Sequence, residues 1–175
     1  MERKRKMSIM VRLLLMVISP CLLLGIAMTL YSGWNMQRGM QKTTLDGMRA
    51  TDYAVLEMFK NIADGDFKQD AKGNVYRGEY KISDNNELAD YIKNKTDVDV
   101  TFFYGDTRVL TSLKDKKTGD RLIGTTASKE VTDKVLKNRK EYSDTGIVIN
   151  ERPYYGYYVP VKNSDDSIVG MVFVG

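Results

Sequence analysis

The sequence predicts an α+β fold, in which a long N-terminal helix precedes a central antiparallel sheet with flanking helices. Three observations predict this order. An uncharged apolar run fills residues 13–31, directly behind the basic cluster of residues 3–6. Apolar residues then recur at helical spacing through residues 34–63. Beyond residue 98, short β-branched and aromatic segments alternate with turn residues, which is typical of strands.

The apolar run is long enough to cross a membrane. At a rise of about 1.5 Å per residue, about 20 residues span the roughly 30 Å hydrocarbon core. Tyr31 and Trp34 stand where the outer aromatic belt is expected, and basic residues before a span stay on the cytoplasmic side. We therefore expect a cytoplasmic stub at residues 1–7, a helix through the lipid bilayer of the cell membrane at residues 8–33, and an extracytoplasmic domain at residues 34–175.

Three other interpretations of this run are weaker. A cleaved signal peptide needs a shorter apolar core and a small-residue cleavage site, which the sequence after Leu30 does not offer. Lipidation at Cys21 needs a different sequence from the Ile-Ser-Pro that precedes it. A buried core helix rarely follows such a basic flank. An uncleaved membrane anchor is therefore expected.

Charge and composition argue against several classes of function. The net charge of +4 comes from the N-terminal flank, because residues 32–175 hold equal numbers of basic and acidic side chains. The charge is thus a topology signal and predicts no nucleic-acid partner. The chain has no histidine, and its one cysteine, Cys21, lies in the apolar run. We accordingly expect no histidine- or cysteine-based catalysis, no metal site and no cofactor.

The first part of the outer domain is predicted to be helix and turn. Residues 34–63 continue as a long helix, whose apolar face covers a sheet or pairs with a second copy. Residues 64–81 are rich in turn residues, and their acidic cluster fits a calcium loop poorly because Lys68 occupies a ligand position. Asp84 and Glu87 predict the start of a short helix.

The second part is predicted to be mainly strands. Residues 98–104 and 107–113 form two strands around a Gly-Asp turn, and a further helix begins near residues 124–128. Three more strands, joined by hairpin turns, are predicted at residues 142–150, 153–162 and 167–174. Because the sequence stops in strand-like residues, we expect a second membrane helix and a cytoplasmic output module to follow in the full gene.

Four segments of the outer domain follow one another at short spacings, namely residues 103–112, 121–125, 154–160 and 168–175. This ordered set resembles the single Cache domain, a PAS-like extracytoplasmic sensor, and in particular the version found in bacterial methyl-accepting chemotaxis receptors. The resemblance covers residues 34–175. It implies a PAS-like central sheet, a homodimer without enzymatic activity, a small-molecule ligand, and a signal passed to a cytoplasmic signalling module.

The resemblance also implies where the ligand binds. In related sensors of citrate and C4-dicarboxylates, an Arg on the second strand and a His three residues later grip a carboxylate; Arg108 and Thr111 occupy these places here. A second Arg and an aromatic residue precede the strand proline in those sensors, where this chain has Gly156 and Tyr158. Because the His and the second Arg are absent here, a dicarboxylate or tricarboxylate ligand is disfavoured. A monocarboxylate, an amino acid or an uncharged aromatic-stacking ligand is favoured instead.

Strand alternation points to the same pocket. Tyr154, Gly156 and Tyr158 share one face of their strand, and Gly156 is expected to leave space for a ligand between two phenols. Arg108 offers a bidentate fork for a carboxylate. The expected ligand-binding residues are therefore Phe103, Arg108, Thr111, Tyr154, Gly156 and Tyr158.

Several alternatives stay open. The tyrosines are equally suited to the sheet core, and Arg108 to an ion pair with Asp106 or a surface acid. The same sensor also fits a histidine kinase or a diguanylate cyclase. An anchored enzyme using Asp97 and Asp99 is disfavoured, because carboxylates at a strand edge are ordinarily solvated. A membrane-anchored structural protein without a ligand is the remaining class.

Overall fold

The computed structural model describes residues 8–175, so the expected stub at residues 1–7 lies outside the described residues. The chain divides into two compact units, Met1–Lys42 and Thr43–Gly175, and helix α1, Ile9–Asn61, contributes residues to both. In the first unit the apolar side chains of α1 are exposed. Among the described helices, α1 alone is long and apolar enough to cross a membrane, by length and composition.

The second unit is an α+β domain, as the sequence predicts. Its elements after α1 are β1 (Phe67–Gln69), β2 (Val75–Arg77), β3 (Tyr80–Lys81), α2 (Asn86–Thr96), β4 (Val100–Tyr104), β5 (Thr107–Thr111), α3 (Lys129–Val131), β6 (Tyr142–Ile149), β7 (Arg152–Lys162) and β8 (Ile168–Val174). A π-helical segment, Thr132–Lys137, continues directly from α3. The strands form a small sheet of order β1-β2-β3 and a five-stranded antiparallel sheet of order β5-β4-β8-β7-β6.

The small sheet is the main difference from the sequence-based expectation, which had only turns at residues 64–81. Its strands have two or three residues each, too few for an alternation pattern, and only Phe67 and Val75 are buried. The start of α2 also differs by one residue. Asn85 caps the helix by accepting the Leu88 N–H at 3.1 Å, while Asp84 has a left-handed backbone, with φ of 62°.

The five-stranded sheet is buried on both faces, which we call the α1 face and the α3 face after the helices that cover them. On the α1 face, helices α1 and α2 pack on the sheet residues Val100, Phe102, Leu110, Tyr157, Val159, Val161, Val172 and Val174. On the α3 face, α3 and the π-helical segment pack on the sheet residues Phe103, Ile149, Tyr158, Met171 and Phe173. The two sets alternate along β7 and β8, as expected for strands buried on both sides.

The pairing of β4 with β5 contains a bulge that decides where Arg108 points. Phe102 pairs with Leu110, but the next residue, Phe103, pairs with Arg108, so that Val109 is an extra residue in β5. In a regular strand Arg108 and Leu110 would share a face. The bulge separates them: Leu110 packs on the α1 face, and the guanidinium carbon of Arg108 lies 4.9 Å from the ring centroid of Phe103 on the α3 face.

Helix α1 carries a buried carboxyl where it packs on the domain. Asp52 is fully buried, and neither of its oxygens has a hydrogen-bond partner in the described structure. Burial, and secondarily the negative charge of Glu141, raises the pKa of Asp52 well above its ordinary value. Glu141 itself holds the helix, because its carboxylate lies 2.8 Å from Arg49 Nη2 and accepts the Tyr53 O–H at 3.1 Å.

The raised pKa of Asp52 predicts a folded state that loses stability as pH rises. Above pH 4 the unfolded chain releases this proton while the folded chain keeps it, so unfolding becomes easier until the folded pKa is passed. We expect the free energy of unfolding to fall by about 1.4 kcal/mol per pH unit in that window. Asp52→Asn should remove this component. Urea titrations of the whole chain in detergent between pH 4 and 8 measure it.

The matched control is Asp46→Asn, which removes an exposed carboxyl from the same helix and should leave the pH profile unchanged. If the free energy of unfolding of Asp52→Asn changes with pH as it does in the parent chain, the raised pKa is wrongly assigned to Asp52.

Candidate functional site

A cavity of about 500 Å³ opens on the α3 face of the five-stranded sheet. Its wall comes from β5, β6, β7, α3 and the loop before α3. A volume of this size suits a small organic ligand, and most such pockets combine an apolar wall with a few polar groups. The polar side chains that matter for its chemistry are Arg108, Thr125, Glu130, Tyr142, Asp144 and Tyr158.

Arg108 brings a positive charge into this cavity without a counter-charge. The residue is 7% exposed, and Nη1 donates to Thr125 Oγ1 at 2.7 Å and to the Thr126 carbonyl at 3.5 Å. Its Nε–H is buried and has no hydrogen-bond partner, and no carboxylate within residues 8–175 forms an ion pair with it. Burial lowers the pKa of Arg108, although arginine stays charged in proteins. The cavity therefore contains a desolvated guanidinium with unused donor capacity.

The loop before α3 holds this arginine in place through the main chain. The Arg108 N–H donates to the Thr125 carbonyl at 2.9 Å, and the Gly124 N–H donates back to the Arg108 carbonyl at 2.8 Å. Gly124 has φ of +76°, a conformation that suits glycine. The Thr125 hydroxyl donates to the Leu122 carbonyl at 2.8 Å, so its oxygen is oriented to accept from the guanidinium. The arginine is thus positioned by backbone pairing rather than by an acid.

Two phenols line the cavity as neutral groups. Tyr158 is 3% exposed and packs on Phe173 with 4.8 Å between ring centroids. Burial raises the pKa of the Tyr158 hydroxyl, and the nearby Arg108 charge opposes this only in part. Burial, with a hydrogen bond to Glu130, raises the pKa of Tyr142 to about 12. Both hydroxyls therefore keep their protons near neutral pH, and the Tyr158 hydroxyl can donate to a ligand.

The six expected ligand-binding residues separate into two groups. Arg108 and Tyr158 line the cavity, and Phe103 lies beneath the guanidinium. Thr111 is fully buried in the sheet, where its hydroxyl bonds Thr101 Oγ1 at 2.7 Å and the Val100 carbonyl at 3.2 Å. Its predicted role in ligand binding is therefore not supported by its position.

Tyr154 and Gly156 also lie outside the cavity wall. Tyr154 lines a separate pocket, where its hydroxyl donates to Asp99 Oδ2 at 3.4 Å. Gly156 does not leave space for a ligand: a Cβ there would lie 2.5 Å from Ile147 Cδ1 and 2.7 Å from Phe173 Cε2. The expectation of an open gap is wrong, because strand alternation predicts the face of a residue but not which neighbours fill the space above it.

Four polar cavity residues were not among those expected from the sequence, namely Thr125, Glu130, Tyr142 and Asp144. Thr125 belongs to the segment 121–125, which the resemblance included without a role. Tyr142 and Asp144 begin β6, where a bulge between Asp144 and Ile147 brings the strand over the cavity. Gly146, whose N–H donates to Asp144 Oδ1 at 2.8 Å, is the local signal of that bulge.

Comparison with known proteins identifies a family for this chain. The model of the family described as single Cache domain 3 matches residues 80–175. Among solved structures, the crystal structure of the E. coli DcuS sensor domain aligns with a TM-score of 0.34 and 17% sequence identity. That alignment covers 51% of this chain and 63% of the DcuS chain, less than two thirds of its length. No curated protein matches the chain.

The packing over Gly156 predicts that a methyl group there destabilises the fold. Gly156→Ala should lower the free energy of unfolding by about 1–3 kcal/mol, the usual result of overpacking. Gly146→Ala is the matched control, because its Cβ would meet only Asp144 Oδ1 at an ordinary 3.6 Å. Urea unfolding of both variants measures the difference. Equal stability of the two would show that the space above Gly156 is open, as the sequence suggested.

Proposed function

Because the chain belongs to the single Cache domain 3 family, we propose that it is the ligand-sensing part of a bacterial transmembrane chemoreceptor. It binds a small molecule outside the membrane and passes a conformational signal to a cytoplasmic module. The observation that carries this proposal is Arg108, a buried cation that has no counter-ion among residues 8–175 and lies in a ligand-sized cavity. A missing counter-ion is readily supplied by an anionic ligand.

The ligand proposed for this cavity carries a carboxylate, as a monocarboxylate or an amino acid does. A carboxylate beside Arg108 accepts from the free Nε–H and compensates the buried charge. The neutral hydroxyl of Tyr158 adds a donor for a second polar atom of the ligand. The nearby rings of Phe103 and Phe173 supply apolar surroundings, in which such charge-assisted contacts are strong.

We place the N-terminal part of α1 in the cell membrane, with the sensor domain outside and the N-terminus in the cytoplasm. The exposed apolar side chains of α1 support an anchor, since they have no other cover within the first unit. A homodimer is proposed on the resemblance to chemotaxis receptors.

The proposed signal passes through β8, because this strand contacts both layers of the domain. Met171 and Phe173 face the α3 side, and Val172 and Val174 face the side where α1 packs. A ligand can shift the strand only by its different affinity for two arrangements. In the full gene, a second membrane helix and the output module are proposed to follow β8. Downstream heptad repeats rich in Gln and Glu would support a chemoreceptor, and a phosphoacceptor His would contradict it.

Arg108→Met is expected to abolish ligand binding without loss of stability. In thermal unfolding of the whole chain in detergent, a carboxylate at 100 times its Kd should add about 2.7 kcal/mol of stability. The test uses a panel of small carboxylates, each paired with its amide. We expect at least one carboxylate, and not its amide, to stabilise the parent chain and to have no effect on Arg108→Met.

Arg152→Met is the matched control, because Arg152 is exposed and lines a different pocket. Stabilisation that persists in Arg108→Met but disappears in Arg152→Met would show that the ligand binds in the pocket of Arg152 and not in that of Arg108. A folded parent chain that no carboxylate stabilises would contradict the proposed carboxylate ligand.

The proposed topology predicts which cysteines a membrane-impermeant maleimide reaches in intact spheroplasts. Lys117→Cys should be labelled from outside, because the Lys117 side chain is 81% exposed in the sensor domain. Lys6→Cys, in the expected cytoplasmic stub, should be labelled only after permeabilisation. The native Cys21 serves as the background control and should stay unlabelled within lipid. Labelling of Lys6→Cys in intact spheroplasts would contradict the proposed topology.

A further inference from the structure

The cavity that contains Arg108 also has a negative end. Asp144 and Glu130 line the same cavity, and Asp144 is only partly exposed. Asp144 Oδ1 accepts the Gly146 N–H at 2.8 Å, and Oδ2 accepts the Tyr142 O–H at a long 3.4 Å. No lysine or arginine in the described part of the chain pairs with this carboxylate. Its oxygens therefore keep lone pairs for another donor.

The positive and negative groups belong to opposite edges of the sheet. Arg108 lies on β5 and Asp144 on β6, and the strand order β5-β4-β8-β7-β6 puts three strands between them. Tyr158, on β7, is within electrostatic range of both groups. Besides burial, the pKa of Arg108 is affected by Tyr158 and by no carboxylate of the described residues. The two charges thus face one cavity without neutralising each other.

This arrangement discriminates between the ligands that Arg108 alone would accept. A simple carboxylate compensates Arg108 but adds a further negative charge to a cavity that already contains Asp144 and Glu130. A dicarboxylate adds two. A ligand with a carboxylate and an ammonium group compensates both ends, and each end gains a charge-assisted hydrogen bond. Glu130 is exposed and solvated, so the partly buried Asp144 dominates the choice.

Because four interstrand spacings, about 19 Å, separate the backbones of β5 and β6, we propose that the cavity binds an elongated amino carboxylate zwitterion, with its carboxylate on Arg108 and a remote ammonium group on Asp144. This inference rests on the proposed sensing function and narrows its ligand class. It assigns a recognition role to Asp144, which the sequence did not single out. Tyr158 is within electrostatic range of both charged ends, and its neutral hydroxyl can accept or donate without adding charge.

The test measures binding of matched probes to the whole chain in detergent by calorimetry and thermal shift. The ω-amino acids from 4-aminobutyrate to 6-aminohexanoate are each compared with the carboxylic acid that lacks the amino group, namely butyrate, pentanoate and hexanoate. Alanine and propionate serve as the control pair, because the ammonium and carboxylate groups of alanine are too close together to reach both ends. We expect at least one amino carboxylate to bind about ten- to a hundredfold more tightly than its deaminated partner.

The assignment of the ammonium end is tested with Asp144→Asn. This change keeps an oxygen for the Gly146 N–H, so the bulge should be preserved. The preferred zwitterion should lose about ten- to a hundredfold in affinity, while its deaminated partner changes little. Asp165→Asn is the matched control: Asp165 Oδ1 accepts the Ser167 N–H at 2.9 Å in the same i+2 pattern, but on the exposed surface.

The outcomes separate this inference from the proposed function. Deaminated acids that bind as tightly as amino acids, and depend on Arg108, would overturn the zwitterion and leave the carboxylate sensor standing. A zwitterion preference that persists in Asp144→Asn would overturn the role of Asp144. Failure of every probe to bind a folded chain would overturn both proposals.

Discussion

The whole domain depends on the insertion of β8 between two hairpins. β4 pairs with β5 and β6 pairs with β7, but these hairpins are joined into one sheet only because β8 pairs with β4 on one side and β7 on the other. Gly170 allows this close approach, since a Cβ there would lie 1.9 Å from the Phe103 carbonyl oxygen. The cavity wall takes residues from both hairpins, so the site exists only when β8 is in place.

The two faces of the sheet differ in how closely they are packed. The α1 face is a packed core, in which Phe59 meets Phe102 edge-on at 4.9 Å between ring centroids. The α3 face leaves a cavity and buries polar groups around it. Burying an unpaired charge is unfavourable, so Arg108 lowers the stability of the domain, and the proposed carboxylate ligand would offset that cost by pairing with the guanidinium.

The sequence predicted the elements whose signals are local to one stretch of the chain. Strands β6, β7 and β8 follow from alternation and from the turn at Asn150 and Glu151, both of which have positive φ. The short strands β1 to β3 could not be predicted, because they depend on tertiary pairing. For the site, the resemblance pointed to Arg108 and Tyr158. The filled space over Gly156 and the cavity position of Asp144 arise from contacts between strands. Such contacts cannot be predicted from the local pattern of a single sequence.

The extra residue in β5 makes the chemistry of the cavity depend on strand length as well as on residue identity. Removing one residue between the Gly105 turn and Arg108 would abolish the bulge and pair Arg108 with Tyr104, whose side chain packs with the α1 face. The cavity would lose its cation although every remaining side chain was unchanged. A deletion of one codon would thus remove the cation from the cavity without any substitution of Arg108.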